Sequence, residues 1–239
     1  MLRVRLFGEM AVEVDGSPVA PPESARARAL LAWLALNPGM HSRGRLAARF
    51  WPDVLDSSAR ASLRSAMWSL RRALGEAGER HLAATRDRVG LQDVEVDALE
   101  FEELVRRDEL LDAVALGDGQ LLPGIEDDWA FEARDEHRDR MSSALSRLAA
   151  EAPDTAEAVA WAKRWAALDP LSEEAGRALI EKLAESGERA AALAAFERLS
   201  ARLRTELGLA PSAGTRELVE RVRVEEAAQG PVAGGAPSV

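Results

Sequence analysis

Cysteine is missing from this chain of 239 residues, and its absence removes disulfides, a thiol nucleophile and thiolate metal sites at once. The redox compartment is left undetermined. No apolar run reaches about 18 residues, the length at which a membrane helix is considered. The opening MLRVRLFGEM alternates as a strand does and has no signal-peptide core. A cytoplasmic protein without a membrane partner is expected. Histidine is scarce: His41, His81 and His137 are scattered, with no second histidine at ligand spacing, so surface or loop positions are expected and no metal site. A phosphate loop of the GxxxxGK[ST] kind is lacking too. Carboxylates abound, but on charged helix faces of the kind that keep a protein soluble. The sequence therefore points to no enzyme and no cofactor.

What is present is ordinary for a soluble globular protein, with 47% hydrophobic and 30% charged residues. The length suits one or two domains, and two fit better. The net charge of −10 is unevenly spread. Residues 1–95 carry 14 Lys+Arg against 11 Asp+Glu, while the remainder carries 17 against 30. Residues 42–75 hold seven arginines and two acids, Asp53 and Asp56. Such asymmetry is expected when one domain approaches a polyanion and the other meets something else.

Along the chain, Leu2, Val4 and Leu6 alternate with Arg3 and Arg5, and Ala11, Val12 and Val14 precede Asp15-Gly16. Two short strands and a tight turn follow from that pattern, with a third strand around Val19. Ser24 is placed to cap a helix reaching Leu36, with Ala27, Leu30, Leu31 and Leu34 at helical spacing and Asn37-Pro38-Gly39 as its stop. Ser42 caps a second helix that buries Leu46, Phe50 and Trp51 and ends at Pro52. A third helix over residues 57–75 reads SSARASLRSAMWSLRRALG. At about 100° per residue, Ala59, Leu63, Ala66, Met67, Leu70 and Leu74 share one face, Arg60, Arg64 and Arg71 lie on its flank, and Ser65 and Arg72 point away. After a polar loop, residues 82–85 and 89–91 read as two strands around Arg86-Asp87-Arg88. Strands, three helices and a terminal hairpin are the order of a winged helix, whose third helix enters the major groove of DNA.

From Val96 onward the periodicity is helical. Asp97 is placed to cap a helix carrying Leu99, Phe101, Leu104 and Val105, a second helix covers residues 109–116, and a Gly-rich acidic loop precedes a long charged helix from Trp129. Trp129, Trp161 and Trp165 are expected in the core, the last two at i, i+4. Alternating helices separated by Asp169-Pro170 and Gly187, with the small-residue run AAALAAF, suggest tetratricopeptide-like pairs. The fold class expected is mainly α: an N-terminal α+β winged helix over 1–95, an all-α tetratricopeptide-like domain over 96–228, and a disordered tail over 229–239.

These residues resemble the Streptomyces antibiotic regulatory protein family, an OmpR-type winged helix followed by a bacterial transcriptional activation domain. The resemblance is carried by Arg28-Ala29-Leu30-Leu31, Ser42-Arg43-Gly44-Arg45-Leu46, Trp51-Pro52-Asp53 and Leu70-Arg71-Arg72-Ala73-Leu74-Gly75. In the second half it continues through Val96-Asp97, Asp169-Pro170-Leu171, the AAFERL segment, Glu206-Leu207-Gly208-Leu209 and Thr215-Arg216-Glu217-Leu218. It implies a sequence-specific activator bound to double-stranded promoter repeats as side-by-side protomers, a homodimer on DNA, that recruits RNA polymerase. By motif match, Arg60, Arg64, Ser65, Trp68, Arg71 and Arg72 form the recognition surface and Arg86 and Arg88 the wing. Arg60 and Arg64, in the leading half of the helix, are expected to read base edges, and Arg71 and Arg72 to hold phosphates. Trp68 suits either DNA contact or packing. One departure lies in the wing, where members commonly carry a Gly-Tyr pair and this chain has Arg88-Val89-Gly90-Leu91. Control by aspartyl phosphorylation within the chain is not expected, since no receiver domain precedes the winged helix. The alternative is a helical-repeat scaffold whose N-terminal module does not bind DNA.

Overall fold

The computed structural model describes residues 1–228, so the expected tail over 229–239 lies outside the described residues. Two compact units divide the chain, residues 1–137 and 138–239. Helices near residues 96–137, assigned by sequence to the second domain, cluster with the first unit by contact.

In the first unit, alternation makes the sheet. Leu2 and Val4 of β1 (Leu2–Arg5) are buried while Arg3 and Arg5 face outward. β1 pairs antiparallel with β2 (Ala11–Val14), which pairs with β3 (Ser17–Val19). On its other side β1 pairs in parallel with β7 (Val94–Val96), a strand that periodicity missed, giving the order β3-β2-β1-β7. Arg3 of β1 and Glu95 of β7 close an exposed ion pair at 2.6 Å across that parallel seam.

Helix α1 (Ala25–Leu36) starts where Ser24 Oγ accepts the Ala27 amide and is buried along Ala27, Leu30, Leu31 and Leu34. A two-residue strand, β4 (His41–Ser42), leads into α2 (Arg43–Phe50), whose cap is Ser42. Then comes α3 (Asp56–Leu74), buried along the six apolar positions expected from its period and ended by Gly75 at φ +55. The polar stretch after it is not a loop. It forms α4 (Glu76–His81), a short helix packed on the end of α3, so close that a Cβ on Gly78 would stand 3.2 Å from the Arg71 backbone. β5 (Leu82–Ala84) and β6 (Arg88–Leu91) make the hairpin, and β4 adds to it in the order β4-β6-β5.

Asp97 opens α5 (Asp97–Arg106), but its carboxylate does not cap that helix in the expected way. It accepts the backbone amide of Leu6 on both oxygens at 2.8 and 2.9 Å, that of Phe7 at 3.1 Å and that of Ala98 at 2.8 Å. The amides where the chain leaves β1 have no ladder partner, and a buried acid 91 residues away satisfies them. After α6 (Leu110–Leu116), the Gly-rich loop is stitched to the same chain end: Gly8 donates to the Gln120 carbonyl at 2.9 Å and Leu122 to the Leu6 carbonyl at 2.8 Å. Arg134 of α7 (Asp128–Glu151) holds the loop by donating to the Leu122 and Ile125 carbonyls.

The second unit packs helices around Ile180, Leu183, Ala192, Val219 and Val222. Its helices are the remainder of α7, α8 (Thr155–Leu168), α9 (Glu173–Glu185), α10 (Arg189–Arg202) and α11 (Ala213–Ala228). Asp154 and Ser172 cap α8 and α9. α10 runs into a π-helical turn, Leu203–Leu207, that Gly208 ends in the left-handed region. Glu173 at the start of α9 accepts the Ser212 amide at 2.7 Å and so joins α9 to the segment entering α11. Burial pushes that carboxyl up, but hydrogen bonds from Ser212 and Thr215 outweigh it and leave the pKa below the ordinary range. Trp165 is buried and donates to Ser142 Oγ at 2.6 Å, and Trp129 is buried in the first unit. Trp161 is only half-buried, under the Arg164 guanidinium.

Candidate nucleic-acid interface

α3 is anchored by Leu63, Met67, Leu70 and Leu74, each 5% exposed or less, and this fixes what its other face can show. Arg60, Arg64, Ser65, Trp68 and Arg72 are all exposed on that face. Arg60 is ion-paired with Asp56 one turn earlier at 2.9 Å, an exposed pair worth little in water. Such a carboxylate neutralises the guanidinium until a better anion displaces it. Trp68 is 60% exposed and packs on no core, and the Arg72 guanidinium lies 5.4 Å from its ring centroid. A flat cation and a flat ring thus form one exposed, adhesive patch. Arg71 differs from the rest: it is half-buried where α4 packs on the end of α3.

Arg86 and Arg88 are exposed in the hairpin, whose turn is closed by Thr85 accepting the Arg88 amide at 3.0 Å. Despite the absent Gly-Tyr pair, the hairpin is well built. Val89 is fully buried, and Gly90 lies so near the Gly39 carbonyl that no side chain fits there. Arg88 lines a groove of about 460 Å³ that it shares with Arg45 and Arg49 of α2, Trp33, His41 and Ser42. That groove has no acid in its lining. Arg49 stands 5.8 Å from the Trp33 ring centroid, and His41 meets the same ring edge-on at 4.6 Å. In the sequence Arg45 and Arg49 are two of the seven arginines of residues 42–75, with nothing to link them to the hairpin. Only the pairing of β4 with β6, His41 opposite Val89 and Ser42 opposite Arg88, brings them to the hairpin.

The histidines depart from expectation. His81 is buried, with Nδ1 at 3.0 Å from the Gln92 carbonyl, because it ends α4 just where the hairpin begins. His137 is half-buried between Phe7 and Phe101 at 4.8 and 4.6 Å, and His41 is half-buried on Trp33. Aromatic packing and backbone carbonyls claim all three. Among the described residues no group of His, Asp and Glu is arranged to hold a metal ion, and no helix is long and apolar enough to cross a membrane. The acid excess is also more local than halves suggested: residues 96–137 carry 3 Lys+Arg against 14 Asp+Glu, and residues 138–239 carry 14 against 16.

The first unit has the element order of a winged helix and a helical unit follows it, and its family and relatives make this chain a transcription regulator. The bacterial transcriptional activator domain family matches residues 95–223, and the chain belongs to that family. The chain is 29% identical over 242 residues to the regulatory protein AfsR of Streptomyces coelicolor, covering 92% of this chain and 24% of that protein. With AfsR of Streptomyces griseus it shares 29% over 224 residues, 87% of this chain and 23% of the relative. It thus spans about a quarter of the length of these relatives, and the resemblance to Streptomyces antibiotic regulatory proteins holds. Mycobacterium tuberculosis EmbR, solved in complex with a low affinity phosphopeptide, has the same fold. Its TM-score is 0.72 at 23% identity, over 94% of this chain and 65% of that one.

Proposed function

We propose that this regulator is a cytoplasmic, sequence-specific DNA-binding activator that sits on promoter repeats as a homodimer and recruits RNA polymerase. The observation that carries the reading is the outer face of α3, where Arg60, Arg64, Ser65, Trp68 and Arg72 are exposed on a helix whose opposite side is locked into the core. Arg60 and Arg64 read base edges, since guanidinium groups pair bidentately with guanine O6 and N7. Arg72 and Arg71 hold phosphates, Arg71 with less reach because of its burial. Arg86 follows the neighbouring groove, and Arg88 joins Arg45 and Arg49 on a flanking phosphate. Trp68 orients Arg72 and covers the sugar edge beside it.

The test uses duplexes enriched by the protein from a random pool. Arg64→Ala is expected to cost about 1–3 kcal/mol of binding to the selected site while leaving thermal unfolding unchanged. Unchanged affinity in a folded variant would overturn the assignment of α3. Replacing Arg45 and Arg49 by alanine is expected to weaken selected and unselected duplexes alike and to lower the log-log salt slope by about 2. A slope that stays as in the parent would remove the groove from the interface.

A further inference from the structure

We propose that the helical unit carries a docking groove for an acidic, extended peptide segment of another protein. The inference is independent of DNA binding. α8, α9 and α10 enclose a groove of about 350 Å³ whose floor is apolar, with Leu179, Leu183, Ala195 and Leu199 at its base. Gly176 sets its depth: a Cβ there would stand 2.7 Å from the Leu199 side chain, so α9 and α10 interlock only because position 176 has none.

The rim has a different chemistry. Lys163 of α8 and Arg198 and Arg202 of α10 are exposed around the opening. Among the described residues no ion pair engages any of the three, in a stretch where acids outnumber bases 16 to 14. Two other cations of the unit are neutralised: Lys182 pairs with Glu185 at 2.9 Å and Arg223 with Glu220 at 2.7 Å. The one acid in the lining, Asp169, already accepts the Leu171 amide at 3.3 Å in the turn between α8 and α9. Arg198 and Arg202 are one helical turn apart, a spacing at which like charges repel. Three unneutralised cations around an apolar floor fit a strand of carboxylates interspersed with small apolar side chains. A DNA duplex does not fit, because packed helices stand about 8–10 Å apart and leave no room for it between them, and it brings no apolar group to the floor.

The experiment titrates the full chain into a fluorescein-labelled 12-residue peptide alternating Glu with Leu and Ala, read by anisotropy. The same peptide with Gln for Glu is run beside it. The glutamate peptide is expected to bind at least tenfold more tightly than the glutamine one, with affinity falling as salt rises. Arg198→Glu with Arg202→Glu, and separately Lys163→Glu on the facing helix, are expected to reduce binding at least tenfold with unfolding temperature retained. Ala167→Trp, an exposed position on the rim, is expected to block it sterically. Equal binding of the two peptides, insensitivity to all these variants, or displacement of the peptide by a random duplex would overturn the proposal. So would salt-sensitive self-association abolished by the same charge reversals, which would make the occupant a second copy of this chain.

Discussion

Asp97→Ala is expected to destabilise the first unit by about 2–5 kcal/mol, since the buried amides it strands cost roughly 1–3 kcal/mol each. The acid is 7% exposed, and its oxygens are the acceptors for Leu6, Phe7 and Ala98. Alanine offers no acceptor, and the parallel partner β7 ends beside the same residues, so the sheet margin frays with the amides. The melting temperature should fall on the order of 10 °C. Acidity supplies a second readout. Burial pushes the Asp97 carboxyl above the ordinary aspartate range, and the amides of Phe7, Leu6 and Ala98 offset this only in part. Below the ordinary value the group is neutral in folded and unfolded chains alike and imposes no burial of charge. As pH rises through the raised value the native state acquires a buried charge, and stability from this group falls. The difference in unfolding free energy between the parent and Asp97→Ala should therefore be largest in acid and shrink toward neutrality. A difference that grows instead would contradict the raised pKa.

Gly90→Ala is expected to cost about 1–3 kcal/mol, the usual range for overpacking, and to weaken duplex binding besides. The added methyl would overlap the Gly39 carbonyl oxygen and sit 2.9 Å from its carbon. Backbone cannot rotate aside as a side chain does, so β6 must move. That movement loosens the pairing with β4 and the hydrogen bond from the Arg43 amide to the Asp87 carbonyl at 2.9 Å, displacing Arg86 and Arg88. Hydrogen exchange at the Arg43 amide should accelerate with little change at the buried face of α3. Unaltered protection would show that the hairpin yields elsewhere.

α3 was legible because its burial repeats at 3.6 residues, and all six apolar positions assigned to it are buried. α4 was not legible because EAGERH is polar and too short for a period, and the one apolar side chain it buries is Ala77, beside Gly78 and His81. β7 escaped because a three-residue strand has no signal apart from its partner, and β1 is about ninety residues away. Asp97 misled for a local reason: an aspartate ahead of a helical period has the composition of a cap, and nothing nearby in sequence discloses the Leu6 and Phe7 amides. For the candidate interface, the exposed face of α3 was legible by subtraction from its core face. The company of Arg45, Arg49 and Arg88 was not, because a two-residue strand creates it.

The acid excess is concentrated in residues 96–137, with 14 Asp+Glu against 3 Lys+Arg, while residues 42–75 carry seven arginines against two acids. Beyond a Debye length, about 8 Å at physiological salt, exposed charges are largely screened, so the net charge of −10 counts for little at a distance. On the proposed DNA-binding reading, a duplex at the outer face of α3 therefore meets the arginines exposed there and not the net charge of the chain.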